Sequence, residues 1–139
     1  MANKVRDIMS SDLATIPPQA SLSDAAKVMR DRDIGDVIIT DGDRIKGMVT
    51  DRDIVVRCVA AGKDLAHERV ADACSSELAT IGPDAEQEEA VRLMRDKHVR
   101  RLPVVENDRV VGIVSIGDLA RQRDPHSALA DISGARPNK

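Results

Sequence analysis

Ser10-Ser11-Asp12-Leu13-Ala14-Thr15-Ile16 returns, 65 positions on, as Ser75-Ser76-Glu77-Leu78-Ala79-Thr80-Ile81. Working outward from it, residues 5–54 align with residues 70–119 without a gap. About 19 of roughly 50 aligned positions are identical, far above chance. Pro18 recurs as Pro83 and Met29-Arg30-Asp31 as Met94-Arg95-Asp96. Gly47-Met48-Val49-Thr50 recurs as Gly112-Ile113-Val114-Ser115, with Asp53 and Asp118 in register. The chain is an internal duplication.

Each copy predicts one order of elements: strand, helix, strand, strand, helix. A short extended stretch at residues 13–16 is stopped by Pro17-Pro18, and its counterpart by Pro83. Leu22, Ala25, Ala26 and Met29 then recur at helical spacing, with Ser21 as N-cap and Asp24 three residues on. In the second copy Ala90, Val91, Leu93 and Met94 form the apolar face, and Asp84 with Gln87 supplies the start signal. Val37-Ile38-Ile39-Thr40 reads as a buried strand, Asp41-Gly42 as a hairpin turn and residues 45–50 as the returning strand. The equivalent hairpin spans residues 102–105, Asn107-Asp108 and residues 110–115. A second helix follows with Ile54, Val55, Cys58 and Val59 on one face and Gly62 at its end; its partner runs from near Ile116 to before Pro125. Gly35 either ends the first helix or allows close backbone approach. One copy is too small to bury its sheet and helices alone, so two copies packed by approximate twofold symmetry are expected to share one core. The boundaries are 5–62 and 70–123 for the copies, 63–69 for a short polar linker and 124–139 for a tail. In that tail residues 126–132 are expected to form one or two helical turns and residues 133–139 to fray.

Composition bounds the function. Of 139 residues, 42% are hydrophobic and none is aromatic, so the core is aliphatic and no ring platform exists on which to stack bases. A net charge of −3 offers no general basic field for polyanions. No apolar run approaches a membrane span, the opening MANKVRDIMSSD lacks the apolar centre of a signal peptide, and Cys58 and Cys74 read as reduced thiols. A cytoplasmic protein is expected. His67, His98 and His126 are scattered, and Asp41-Gly42-Asp43 lacks the rest of a calcium loop, so no metal site is expected. Neither a nucleophile elbow nor a phosphate loop occurs, and nothing pairs a nucleophile with a base. The reading is of a protein that is not an enzyme.

The repeated order of elements, with Gly-apolar-Val-Thr/Ser-x-x-Asp closing each hairpin, resembles a tandem cystathionine-β-synthase (CBS) domain pair, also called a Bateman module. Gly47-Met48-Val49-Thr50-Asp51-Arg52-Asp53-Ile54-Val55 and His98-Val99-Arg100-Arg101-Leu102-Pro103-Val104-Val105 are similar to the small stand-alone bacterial members. The resemblance covers about residues 5–123 and implies an α+β fold of two β-α-β-β-α repeats. It also implies a regulatory module that takes adenosine nucleotides (AMP, ADP, ATP) or S-adenosylmethionine in clefts between the repeats. Such modules commonly form homodimers and are usually attached to an enzyme or channel; no such domain is evident here, so the chain is expected to act on a separate partner, to sense a ligand alone or to serve some other role. No cofactor is obligatory.

By that resemblance Thr50 with Asp53, and Ser115 with Asp118, hold the ribose, whose vicinal hydroxyls a carboxylate can accept. The spacing by itself favours a capping box, in which Thr50 or Ser115 caps the helix and the acid stabilises its first turn; with the resemblance added, both roles together are expected. The adenine slot carries over to Thr15, Ile16, Pro18, Val37 and Ile38 in the first copy, and to Thr80, Ile81, Pro83, Leu102 and Pro103 in the second. Phosphate needs cations. The second copy supplies Arg100 and Arg101 where the first has Gly35-Asp36, which favours the second site for an anion, with Arg52 reaching the phosphate region. Arg121 and Arg123 read as surface ion-pair residues, and Gly117 loosens the second helix start. Two other roles compete. One is a ligand-independent interaction module whose dimer surface uses Met29, Met94, Val55 and Val59. The other, disfavoured by charge and composition, is nucleic-acid binding through Arg95, Arg100 and Arg101.

Overall fold

The first strand is short for a covalent reason. In this computed structural model, which describes residues 3–74 and 78–123 together with Leu129 and Ile132, β1 is Thr15–Ile16 and ends where Pro17 and Pro18 offer no amide N–H. Helix α1 (Leu22–Arg32) opens on the expected box: Ser21 Oγ accepts from Asp24 N and the Asp24 carboxylate accepts from Ser21 N. It closes on Asp33, left-handed at φ 58°, with Ile34 N donating to Met29 O. Strand β2 (Asp36–Asp41) runs parallel to β1 and antiparallel to β3 (Arg44–Thr50) through a turn that needs positive φ at Gly42. The chain continues as α2 (Asp51–Asp53), then as a π-helical stretch Ile54–Val59.

The second copy repeats this as α4 (Gln87–Lys97), β4 (Arg101–Glu106), β5 (Arg109–Ser115) and α5 (Ile116–Arg123). Even the irregularities recur. The hairpin registers slip at Ile39/Thr40 and at Val104/Val105, and α4 closes on left-handed His98, 65 residues after Asp33. Here β1 has only a counterpart bridge, Ile81 to Val104. Ile38 N donates to Ala14 O in the first copy, and Pro103 at the matching position has no N–H to give.

Two compact units result, one of residues 14–78 and one of residues 1–13 with 79–139. The packing units are therefore offset from the sequence repeats. Residues 63–69 are polar but not a free tether: Leu22 N donates to Glu68 O, Ser23 N to Leu65 O and Val70 N to Ala20 O. Asp64 holds this stretch in shape by accepting from Ala66 N and His67 Nδ1, and that hydrogen bond with His67 lowers the Asp64 pKa from its ordinary value. Val70, opening α3 (Val70–Ala73), is fully buried with Leu22, Ala25, Val37 and Val49. Its counterpart Val5 is fully buried with Ile81, Ala90, Leu102 and Val114, while Val5 N donates to Ala85 O and Gln87 N to Asn3 O.

Several expectations are corrected. Helix α4 is capped by Glu86 backbone alone; Asp84 pairs with Arg6, and Gln87 Nε2 donates to Lys4 O. Gly35 does not end α1, a role taken by Asp33. Of the four residues placed on one face of the second helix, only Ile54 and Cys58 are buried; Val55 and Val59 are 58% and 53% exposed. The π winding, with Ala60 N donating to Val55 O and Lys63 N to Cys58 O, changes which side chains share a face. Gly117 is buried within a formed helix. Ser75, Ser76 and Glu77, and most of the tail including His126, lie outside the described residues, although Leu129 and Ile132 are helical and exposed.

Gly47 and Gly112 are matched contact points. A Cβ on Gly47 would lie 2.9 Å from Cys74 Sγ, and one on Gly112 would lie 2.6 Å from Met9 Sδ and 3.0 Å from the Ser10 carbonyl oxygen. Gly112→Ala is expected to cost about 1–3 kcal/mol in urea unfolding, with Gly47→Ala on the same scale. Gly82→Ala, where a Cβ meets nothing within 4 Å, should change stability by less than about 0.5 kcal/mol.

Candidate functional site

Each candidate site is assembled where the second hairpin strand turns into a helix. Thr50 ends β3 opposite Asp36 and is extended (φ −108°, ψ 162°) before the chain enters α2. Thr50 Oγ1 accepts from Asp53 N at 3.0 Å while Asp53 Oδ2 accepts from Thr50 N at 3.0 Å. Ser115 and Asp118 repeat this at 3.1 and 2.8 Å. Both are complete capping boxes, so the structural role read from spacing is realised. The junction is also tied to the loop entering the hairpin, by Asp51 N to Gly35 O in one copy and Ile116 N to Arg100 O in the other, each at 2.9 Å. A Cβ on Gly35 would stand 3.1 Å from Asp51 Oδ2, so the close-approach reading of this glycine holds.

The cap engages one carboxylate oxygen and leaves Oδ1 turned elsewhere. In the first unit Oδ1 of Asp53 lies 3.7 Å from Arg57 Nε; in the second, Oδ1 of Asp118 lies 2.5 Å from Arg121 Nη2. The side chains of Asp53 and Asp118 are 20% and 17% exposed, partly desolvated yet reachable. The charge of Asp53 is also felt behind the hairpin: the Cys74 thiol is pushed above its ordinary pKa, chiefly by burial and further by Asp53 and Asp72. A polar cavity of about 180 Å³, lined by Ile8, Asp118, Arg121 and Gln122, adjoins the second acid.

The other predicted residues divide by strand alternation. Ile16, Val37, Ile81 and Leu102 point into the two aliphatic cores, so their side chains are not a ligand surface; what they offer is backbone. Thr15 pairs with Ile38, and Ile38 shares the opposite face of the hairpin with Asp36 and Thr50. Pro103, buried, and Arg101, exposed, share that face with Ser115 in the second unit. Pro83 is buried and its carbonyl accepts from Arg6 N, while Ala71 N donates to Pro18 O, so both prolines fasten incoming backbone. Thr80, Arg52 and Arg100 are exposed. Arg123 is paired with Glu88, as expected of a surface cation. Arg57 escaped the sequence reading, and Arg121 was placed only on the surface. The signal for both was their spacing of four and three residues from an acid on one helix.

Comparison with known proteins fits this geometry. Residues 5–59 and 70–124 each match the model of the CBS domain. The chain belongs to the CBS-domain family. It is 36% identical over 135 residues to the CBS domain-containing protein YhcV of Bacillus subtilis, across 94% of this chain and 96% of that one. It is 37% identical over 125 residues to hypoxic response protein 1 of Mycobacterium tuberculosis, across 89% and 87% respectively. A crystal structure of hypoxic response protein I with two coordinated zinc ions superposes with a TM-score of 0.79 over 85% of this chain and 97% of that one, at 37% identity. A hexameric CBS-CP12 protein from bloom-forming cyanobacteria superposes with a TM-score of 0.77 at 28% identity, over 89% and 74%. As a CBS pair the chain is a module of the regulatory or sensing class, and stand-alone proteins of this family are generally non-catalytic. Among the described residues no group of three or more His, Cys, Asp or Glu side chains could hold a metal ion, and no helix is long and apolar enough to cross a membrane.

The capping roles give a direct expectation. Thr50→Ala and Ser115→Ala should each lower unfolding stability by about 1 kcal/mol. Thr50→Ser should restore most of that loss, as urea titration would show.

Proposed function

We propose that this CBS pair senses adenosine nucleotides, AMP, ADP, ATP or S-adenosylmethionine, and relays their presence to a separate protein partner from a cytoplasmic location. The observation that carries this reading is the duplicated acid. Asp53 and Asp118 each stand at a capped helix start, partly exposed, with one oxygen directed away from the cap. A vicinal diol offers two O–H donors to such a group, and charge-assisted bonds of this kind contribute about 1.5–3 kcal/mol each. Thr50 and Ser115 stand beside their acids, and Ile38 and Pro103, both fully buried, lie on the same hairpin face. The base would be held by backbone groups near Ile16, Val37, Ile81 and Leu102, with Thr15, Thr80, Pro18 and Pro83 flanking them. Arg52, Arg100 and Arg101 are exposed cations available to phosphate. A ligand that binds only the folded state must raise its melting temperature, and it acts on a partner only by preferring one of two arrangements.

Calorimetric titration of the four compounds into the ligand-free chain is expected to give saturable binding for at least one, with a matching rise in Tm. Silence with all four ends the proposal. Asp53→Ala combined with Asp118→Ala is expected to abolish binding while costing about 1 kcal/mol per lost cap.

A second reading, self-association into a homodimer, rests on a different observation. Val55, Val56 and Val59 are 58%, 49% and 53% exposed on one short π-helical stretch. Met29 and Met94, also expected at such a surface, are buried and belong to the cores. Val55→Glu with Val59→Glu is expected to shift sedimentation toward the monomer and leave Tm in dilute solution within a few degrees. A variant that sediments as the wild type does would remove these valines from any interface.

A further inference from the structure

The two acids are alike in their caps and unlike in what holds their second oxygen. Oδ1 of Asp118 receives Arg121 Nη2 at 2.5 Å, whereas Arg57 Nε stops 3.7 Å from Oδ1 of Asp53, beyond hydrogen-bond reach. Winding and sequence account for this together. Helix α5 is α-helical from Ile116 to Arg123, so the residue three past Asp118 lies beside it on the same face. In the first unit the position matching Arg121 is Val56, which is exposed, and the cation sits one residue later on a π-wound stretch. The cavity beside Asp118 and Arg121 is about 180 Å³, smaller than the roughly 300 Å³ at which small-molecule sites begin. Arg121 lines it and is 43% exposed, with solvent to move into.

Resting on the ribose reading above, we propose that Arg121 is a latch that closes the Asp118 carboxylate to a sugar diol, so the first-repeat site fills before the second. A diol that donates to both oxygens of Asp118 meets a guanidinium already on Oδ1 and competes with it for that oxygen. Among the described residues no cation is hydrogen-bonded to that oxygen of Asp53. Arg121 is thus a positioning residue whose release sets the second affinity, and the filling order is the reverse of what the number of nearby arginines predicts. Two unequal sites give a graded response over a wider range of ligand concentration than two equal ones.

AMP is the probe, with Asp→Asn substitutions because asparagine keeps an acceptor for the cap. Asp53→Asn is expected to remove the tighter calorimetric event and Asp118→Asn the weaker. Arg121→Gln in the Asp53→Asn background should tighten the remaining event by up to about five-fold, the upper end for release of an exposed ion pair. Nitrogen NMR of the ligand-free chain supplies an independent reading: the Arg121 guanidinium should rotate slowly and Arg57 freely, and Asp118→Asn should free Arg121. If Arg121→Gln leaves the second event unchanged or weaker, or Arg121 rotates as freely as Arg57, the latch is overturned while nucleotide sensing stands. Loss of the tighter event in Asp118→Asn overturns the filling order. A wild-type chain that takes up no AMP removes the latch and its filling order, and nucleotide sensing falls with them only if ADP, ATP and S-adenosylmethionine are silent as well.

Discussion

The reciprocal hydrogen bonds between Thr50 and Asp53, and between Ser115 and Asp118, are the constraint on which the rest depends. A strand entering a helix exposes N–H groups that need acceptors, and in each unit the hydroxyl and the carboxylate supply them at about 3 Å. This fixes the χ angles of the acid, sets its depth at about one-fifth exposed and decides which oxygen remains. The candidate site and the fold junction therefore share the same two residues in each unit. The residue pair that stabilises the helix start is the pair proposed to meet a ligand, so substitutions there would separate stability from binding only when the cap acceptor is kept.

The second organising feature is the docking of a leading segment on each unit. Val5 and Val70 occupy matching places, each fully buried, and each brings backbone N–H groups to the carbonyls of the loop before the first helix. Burial of one valine contributes about 1.5–3 kcal/mol, enough to hold a short turn that would not persist alone. Met9 and Cys74 continue these segments over Gly112 and Gly47, which explains why glycine stands at both places.

Much of this was legible in the chain. The 65-residue register, the two hairpins, the Ser21–Asp24 box and the repeated Thr/Ser-x-x-Asp follow from local spacing, where neighbours in sequence are neighbours in space. Misreadings arose where long-range contacts overrule local preference. Asp84 looked like a helix signal and instead pairs with Arg6, 78 residues away in the chain. Residues 63–69 looked like a linker because they are polar, yet their backbone is bonded to the start of α1. Val37 and Leu102 carry over to an adenine slot by position alone; strand alternation turns their side chains to the core, which leaves only their backbone to offer.

The sequence by itself determined the duplication, the order of elements and the placing of an acid at each helix start, because repetition and capping are written in residues a few positions apart. Only the tertiary structure decided how closely the arginine three residues past one acid, and the one four past the other, approaches its carboxylate. Whether an arginine three or four residues on reaches a carboxylate depends on whether the helix winds as α or π, and that is set by packing across the whole unit rather than by the spacing itself.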